Sequence, residues 1–85
     1  MDHAQIVSAL KTFIKRDILE DDSVDLDADT PLLKLRIIDS FSVLELLLFI
    51  NNEFNVEIPL ETVSLEDLQN IGSIAGLVLS ANRPK

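Results

Sequence analysis

The residues best placed for chemistry in this sequence are the adjacent pair Asp39-Ser40. A serine hydroxyl attacks efficiently only when a general base activates it. Cysteine is absent, and the single histidine, His3, stands two residues from the start. A Ser-His-Asp device, a cysteine nucleophile and a Cys- or multi-His metal site are therefore not expected. A hydrolase built on Ser40 lacks its base, so the chain is expected not to be an enzyme. The pair suits another use. Either residue can cap a following helix, and the free N–H groups and dipole at a helix start favour an anion. A phosphate ester on Ser40 would sit well there. Asp25, Asp27 and Asp29 also match the first, third and fifth positions of a calcium loop. The sixth would be Thr30 instead of Gly and the twelfth Arg36 instead of Glu, so a solvated acidic loop is the better reading.

The elements that must position this pair are helical. Ile6, Leu10, Phe13, Ile14 and Ile18 recur at helical spacing over 3–19, and Asp2 with Gln5 reads as a capping box. Residues 20–38 form a long acidic connection, which Val24, Leu26, Leu32, Leu33, Leu35, Ile37 and Ile38 should pin to the core. Within it, Thr30-Pro31 is expected to start one helical turn, with Thr30 as cap. A second helix is expected over 40–53, a short turn over 64–68, and a last helix over 71–81 after Asn70 as N-cap. Val56-Glu57-Ile58 alternates like a strand, but Pro59 cuts it off. The expected fold is all-α: one domain over 1–85, a small bundle of three main helices plus a short fourth, with a long loop between the first and second.

Composition narrows the partners. The chain has 85 residues and is 47% hydrophobic, enough for one core. Seven basic against fifteen acidic side chains give a formal charge of −8, which argues against nucleic acid. From Asp17 to Asp67 fourteen acids face only Lys34 and Arg36, a surface suited to basic partners met in fast, brief encounters. The apolar block around Leu46 to Ile50 is too short to span a bilayer. The opening Met-Asp-His-Ala-Gln has neither a basic head nor an apolar stretch, so no secretory leader is expected and the cytoplasm is the expected address.

The second helix carries more apolar residues than one buried face needs. At about 100° per residue, Val43, Leu46, Leu47, Ile50 and Phe54 share one arc, whereas Phe41, Leu44 and Leu48 lie opposite, beside Glu45 and Asn52. So small a domain cannot easily surround a whole helix, so this second strip is expected to face a partner.

Ile38-Asp39-Ser40-Phe41-Ser42-Val43-Leu44-Glu45-Leu46 resembles the Asp-Ser-Leu attachment motif and following helix of the acyl carrier and peptidyl carrier protein family. Glu53-Phe54-Asn55-Val56-Glu57-Ile58-Pro59 and Asn70-Ile71 are similar to that family's later segments. The resemblance implies that Ser40 receives 4′-phosphopantetheine from coenzyme A through a magnesium-dependent phosphopantetheinyl transferase. The arm's thiol would then hold an acyl or aminoacyl group as a thioester, a borrowed sulfur in a chain without cysteine. It implies that Asp39 lies beside the magnesium and phosphate during transfer, and that Phe41, Leu44, Glu45 and Leu48 meet partner enzymes. Those would be the transferase, an acyl or aminoacyl ligase or adenylation enzyme, and an acyltransferase or ketosynthase, served by a monomeric shuttle. Ile37 stands where the family often has Gly, and Arg36 adds a positive charge nearby. Asn55 replaces another frequent Gly, Asn51 and Asn52 replace common acids, and Phe41 replaces Leu. These departures lean toward polyketide or nonribosomal-peptide assembly, with fatty-acid synthesis as the alternative. A helical interaction module without a prosthetic group is the alternative of another class.

Overall fold

A capping box starts the first helix: the Gln5 N–H donates to Asp2 Oδ1 at 2.8 Å, and the Asp2 N–H donates to Gln5 Oε1 at 3.1 Å. In the computed structural model, which describes residues 2–21 and 25–81, this helix (α1) runs over His3–Phe13. It continues as a wider π turn over Ile14–Ile18, closed by the Leu19 N–H donating to the Ile14 carbonyl at 2.8 Å. Glu20, in the left-handed region at φ 53°, ends it. The expected span of 3–19 is thus helical nearly throughout, with a change of pitch that periodicity did not signal.

The second helix (α2) spans Ser40–Phe54 and ends on Asn55 at φ 55°, ψ 40°. Asparagine tolerates that left-handed cap without a glycine. The third helix (α3) spans Ile71–Ala81. Asn70 caps it as expected, its Oδ1 accepting from the Ser73 N–H at 2.7 Å. Between α2 and α3 stand two short 3-10 turns, Leu60–Thr62 and Glu66–Leu68, where one was expected. The second is fixed by Ser64 and Asp67, the Ser64 N–H donating to Asp67 Oδ2 at 3.0 Å. No strand forms among the described residues: Val56 and Ile58 are buried on either side of exposed Glu57 in an extended stretch.

The crossover between α1 and α2 is tied down by Leu26, Leu32 and Ile38, which are buried, and by two backbone bonds: the Leu32 N–H donates to the Gln69 carbonyl and the Gly72 N–H to the Ala28 carbonyl, each at 2.9 Å. Gly72 packs closely under the crossover: a Cβ there would come into van der Waals contact with the Ala28 carbonyl and Asn70 Oδ1 at 3.4 Å. Two expectations for this segment need correcting. Leu35 is exposed, because the turn over 32–36 rolls it away from the core. Thr30 does not cap that turn. Its Oγ1 accepts from the Asp27 N–H at 2.8 Å, closing the preceding loop, while Leu32 spends its N–H on Gln69. Arg36 ends the turn at φ 58°, a conformation that a side chain makes costly. Val24 lies outside the described residues.

The core gathers Ile6, Leu10 and Ile14 from the first helix, Val43, Leu46 and Ile50 from α2, and Ile71, Ile74, Ala75 and Val78 from α3. The wheel's core arc on α2 holds, with Leu47 and Phe54 half-buried at its edges. Ile50 is fully enclosed. Ile50→Ala is therefore expected to cost about 2–5 kcal/mol in chemical denaturation, with near-native helicity kept before the transition. A negligible loss would mean that α2 is turned differently.

Candidate functional site

The site starts from how α2 begins. The Ser42 N–H donates to Asp39 Oδ1 at 3.0 Å, so Asp39 is the N-cap and Ser40 is the first helical residue. Ser40 is exposed, and its hydroxyl makes no hydrogen bond among the described residues. Asp39 is fixed as an anion: the Ser42 N–H foremost, then the Ser42 side chain, hold its carboxyl below the ordinary value of 3.8. The pair thus presents an unengaged alcohol beside a firmly ionised carboxylate at a helix start.

An apolar groove of about 390 Å³ opens directly from Ser40. Val43 and Leu44 of α2 form one wall; Leu60, Val63, Leu65 and Leu68 of the two 3-10 turns form the other. Sequence reading missed this second wall. Its apolar residues fall at 60, 63, 65 and 68, which fits no single helical or strand period, so only the packed turns bring them opposite Ser40.

The second strip of α2 lies open. Phe41 is 70% exposed, Leu44 48% and Leu48 64%, and neither the long crossover nor the 3-10 turns cover them. Glu45 is half-buried on the flank nearer α1. Ser40, Asp39, Phe41, Leu44 and Leu48 therefore share one continuous surface, with Glu45 at its edge. Phe49, which the helical wheel left without a role, stacks on Phe13 with ring centroids 4.3 Å apart and meets Phe54 edge-on at 6.0 Å. Asp25, Asp27 and Asp29 are exposed, and among the described residues no group of three or more acids or histidines is arranged to hold a metal. No described helix is long and apolar enough to cross a membrane.

These residues fit a covalent arm. An unengaged hydroxyl supplies the anchor, helix-start N–H groups face any phosphate on it, and the groove offers an apolar bed.

Comparison with known proteins gives the same direction. The family model described as "Phosphopantetheine attachment site" matches residues 5–78. A chain in a solved structure described as "Crystal structure of FAD-dependent dehydrogenase" is similar to this one at 39% identity and a TM-score of 0.74, over 81% of this chain and 97% of that one. No curated protein gives a significant match.

The cap sets a pH dependence. Because the folded carboxyl of Asp39 titrates below its unfolded value, its contribution to α2 is complete above the ordinary aspartate range and is lost as pH falls through the depressed value. Side-chain carbon NMR is expected to show Asp39 titrating below 3.8. In Asp39→Asn, which still caps, the start of α2 is expected to lose this acid sensitivity. A midpoint at or above 3.8 would contradict the geometry.

Proposed function

Because this chain belongs to the phosphopantetheine attachment family, whose carrier domains hold 4′-phosphopantetheine covalently and are not themselves enzymes, we propose that it is a carrier modified at Ser40. The observation that carries this reading is the division of labour at the start of α2. Asp39 takes the capping bond, and the Ser40 hydroxyl is left exposed and unengaged. On loading, a phosphopantetheinyl transferase would join Ser40 Oγ to the pantetheine-bearing phosphorus of coenzyme A while the P–O–P bond to the nucleotide half breaks; adenosine 3′,5′-bisphosphate leaves with that bridging oxygen, and the hydroxyl proton passes to a base on the transferase. The arm supplies the thiol that this chain lacks. The Asp39 carboxylate, held in its ionised form by the capping bond, would lie beside the phosphate and the transferase's magnesium during that step.

Phe41, Leu44, Glu45 and Leu48 are read as the surface offered to partner enzymes. The match to the flavin-dehydrogenase structure supports one class of them. It spans 97% of the other chain but only 81% of these 85 residues, so the matched chain is itself no larger than a carrier domain. A flavin dehydrogenase that oxidises a tethered acyl or aminoacyl group is the partner class inferred. Oxidation of a tethered group suits natural-product tailoring better than the reductive chain growth of fatty-acid synthesis. The loading ligase or adenylation enzyme and the accepting acyltransferase or ketosynthase follow from the same reading, as does a monomer working in the cytoplasm.

Incubation with coenzyme A, magnesium and a promiscuous transferase is expected to add one phosphopantetheine by intact mass, and none to Ser40→Ala. No gain with several active transferases would favour an interaction module without a prosthetic group. Leu48→Glu is expected to keep the parent's helicity and melting temperature while raising the KM for loading. A large loss of melting temperature would show instead that Leu48 belongs to the core.

A further inference from the structure

The turn that delivers the chain to Ser40 ends on an unexpected residue. The Arg36 N–H donates to the Leu33 carbonyl at 3.1 Å, and the Ile37 N–H donates to the Leu32 carbonyl at 2.8 Å. This pair of bonds is the Schellman arrangement, whose left-handed position is usually glycine. Here Arg36 occupies it, at φ 58°. Three helical segments among the described residues end on a left-handed residue. Asn55 tolerates that conformation, whereas Glu20 and Arg36 do not. Glu20 adds one more acid to an acidic stretch. Arg36 has the opposite sign, and backbone strain of this kind persists where the side chain has a use that glycine lacks.

The surroundings define that use. Lys34 and Arg36 are the only cations from Asp17 to Asp67, among fourteen acids. Arg36 is exposed, and its guanidinium has no ion pair or hydrogen bond among the described residues. Between it and Ser40 the chain has little slack, because Ile38 is buried and Asp39 is held by the capping bond. Four residue steps cover at most about 14 Å, which a long arginine side chain and the bonds of a serine ester can close together. A phosphodiester on Ser40 would place a second anion beside the ionised Asp39. The helix-start N–H groups favour that anion, but the acids around it oppose it. A guanidinium offsets this opposition and can donate to two phosphate oxygens at once, which a lysine ammonium does less well.

We propose that Arg36 is a positioning residue for the arm: its guanidinium pairs with the phosphate carried on Ser40 and fixes the root of the arm beside the crossover. The proposal rests on the reading of Ser40 as the attachment site. It involves no partner enzyme once the arm is in place, so the loaded protein alone reports on it.

The full chain and its Arg36→Gln, Arg36→Lys, Arg36→Gly and Lys34→Gln variants are compared before and after loading with coenzyme A, magnesium and a promiscuous transferase, with loading checked by intact mass. Loading is expected to raise the parent's melting temperature by a few degrees more than that of Arg36→Gln, the size of one partly exposed charge contact. In the isotope-labelled parent, the Arg36 Nε–H resonance should move on loading. Arg36→Lys should keep part of the gain. Lys34→Gln, which removes the same charge, should keep nearly all of it. Arg36→Gly is expected to melt higher than the parent when unloaded yet to gain less on loading, because glycine relieves the backbone and removes the guanidinium. An arginine kept only for the fold would not give these opposite signs. An equal gain in the parent and Arg36→Gln, an equal loss in Lys34→Gln, or an unloaded Arg36→Gly that melts lower than the parent would each overturn the proposal and leave the carrier reading standing. No mass gain in the parent with several active transferases would overturn both.

Discussion

The bond from the Ser42 N–H to Asp39 Oδ1 decides what the rest of the surface can do. A helix start leaves several N–H groups without partners, and the residue that satisfies one of them commits its side chain to that task. Had Ser40 been the cap, its hydroxyl would be spent on the helix and turned toward the backbone. With Asp39 as cap, Ser40 moves inside the first turn, where its side chain has no structural duty. The same bond keeps Asp39 ionised. One local interaction thus both frees the alcohol and fixes the charge next to it, and the turn that ends at Arg36 delivers the chain into this arrangement.

Around that start, α2 divides its surface according to what a small chain can bury. Val43, Leu46 and Ile50 exhaust the contact that α1 and α3 offer. Phe41, Leu44 and Leu48 remain in water, at a hydrophobic cost that folding does not recover. Scattered exposed leucines need no explanation, but these three form a strip that runs from the free alcohol along the helix. On the proposed reading, in which the arm is presented to one enzyme after another, an apolar strip beside the anchor would give each enzyme something to hold.

Much of this was legible in the residues. Asp2 with Gln5, Asn70 and the terminal Asn55 declare helix ends through local hydrogen bonding, which depends on neighbours in sequence. The two faces of α2 follow from its period alone. What could not be read depends on contacts between distant segments. Thr30 looks like a cap until Asp27 takes its hydroxyl and Gln69 takes the Leu32 N–H. Leu35 looks like a core residue until the turn rotates it outward. The wall of Leu60, Val63, Leu65 and Leu68 has no period, because two short turns with a bend between them bring it together. The stacking of Phe13 on Phe49 joins two segments far apart in the chain, and no apolar period announces the π turn after Phe13.

The acidic surface and the narrow apolar strip also constrain how long any encounter lasts. A strip of three side chains buries little area, and association must still offset the loss of rotational and translational freedom, so contact through the strip alone is weak. Long-range attraction from fourteen acids between Asp17 and Asp67 raises the frequency of encounters with basic partners without adding much to their lifetime, because exposed charges are largely screened once a Debye length separates them. Frequent arrival with quick departure is what a shuttle between enzymes requires. Discrimination among those enzymes must then come from contacts that are short-range and particular. Glu45, half-buried at the edge of the strip, is where such a contact would have the most strength per unit area, since charge pairs gain when water is partly excluded.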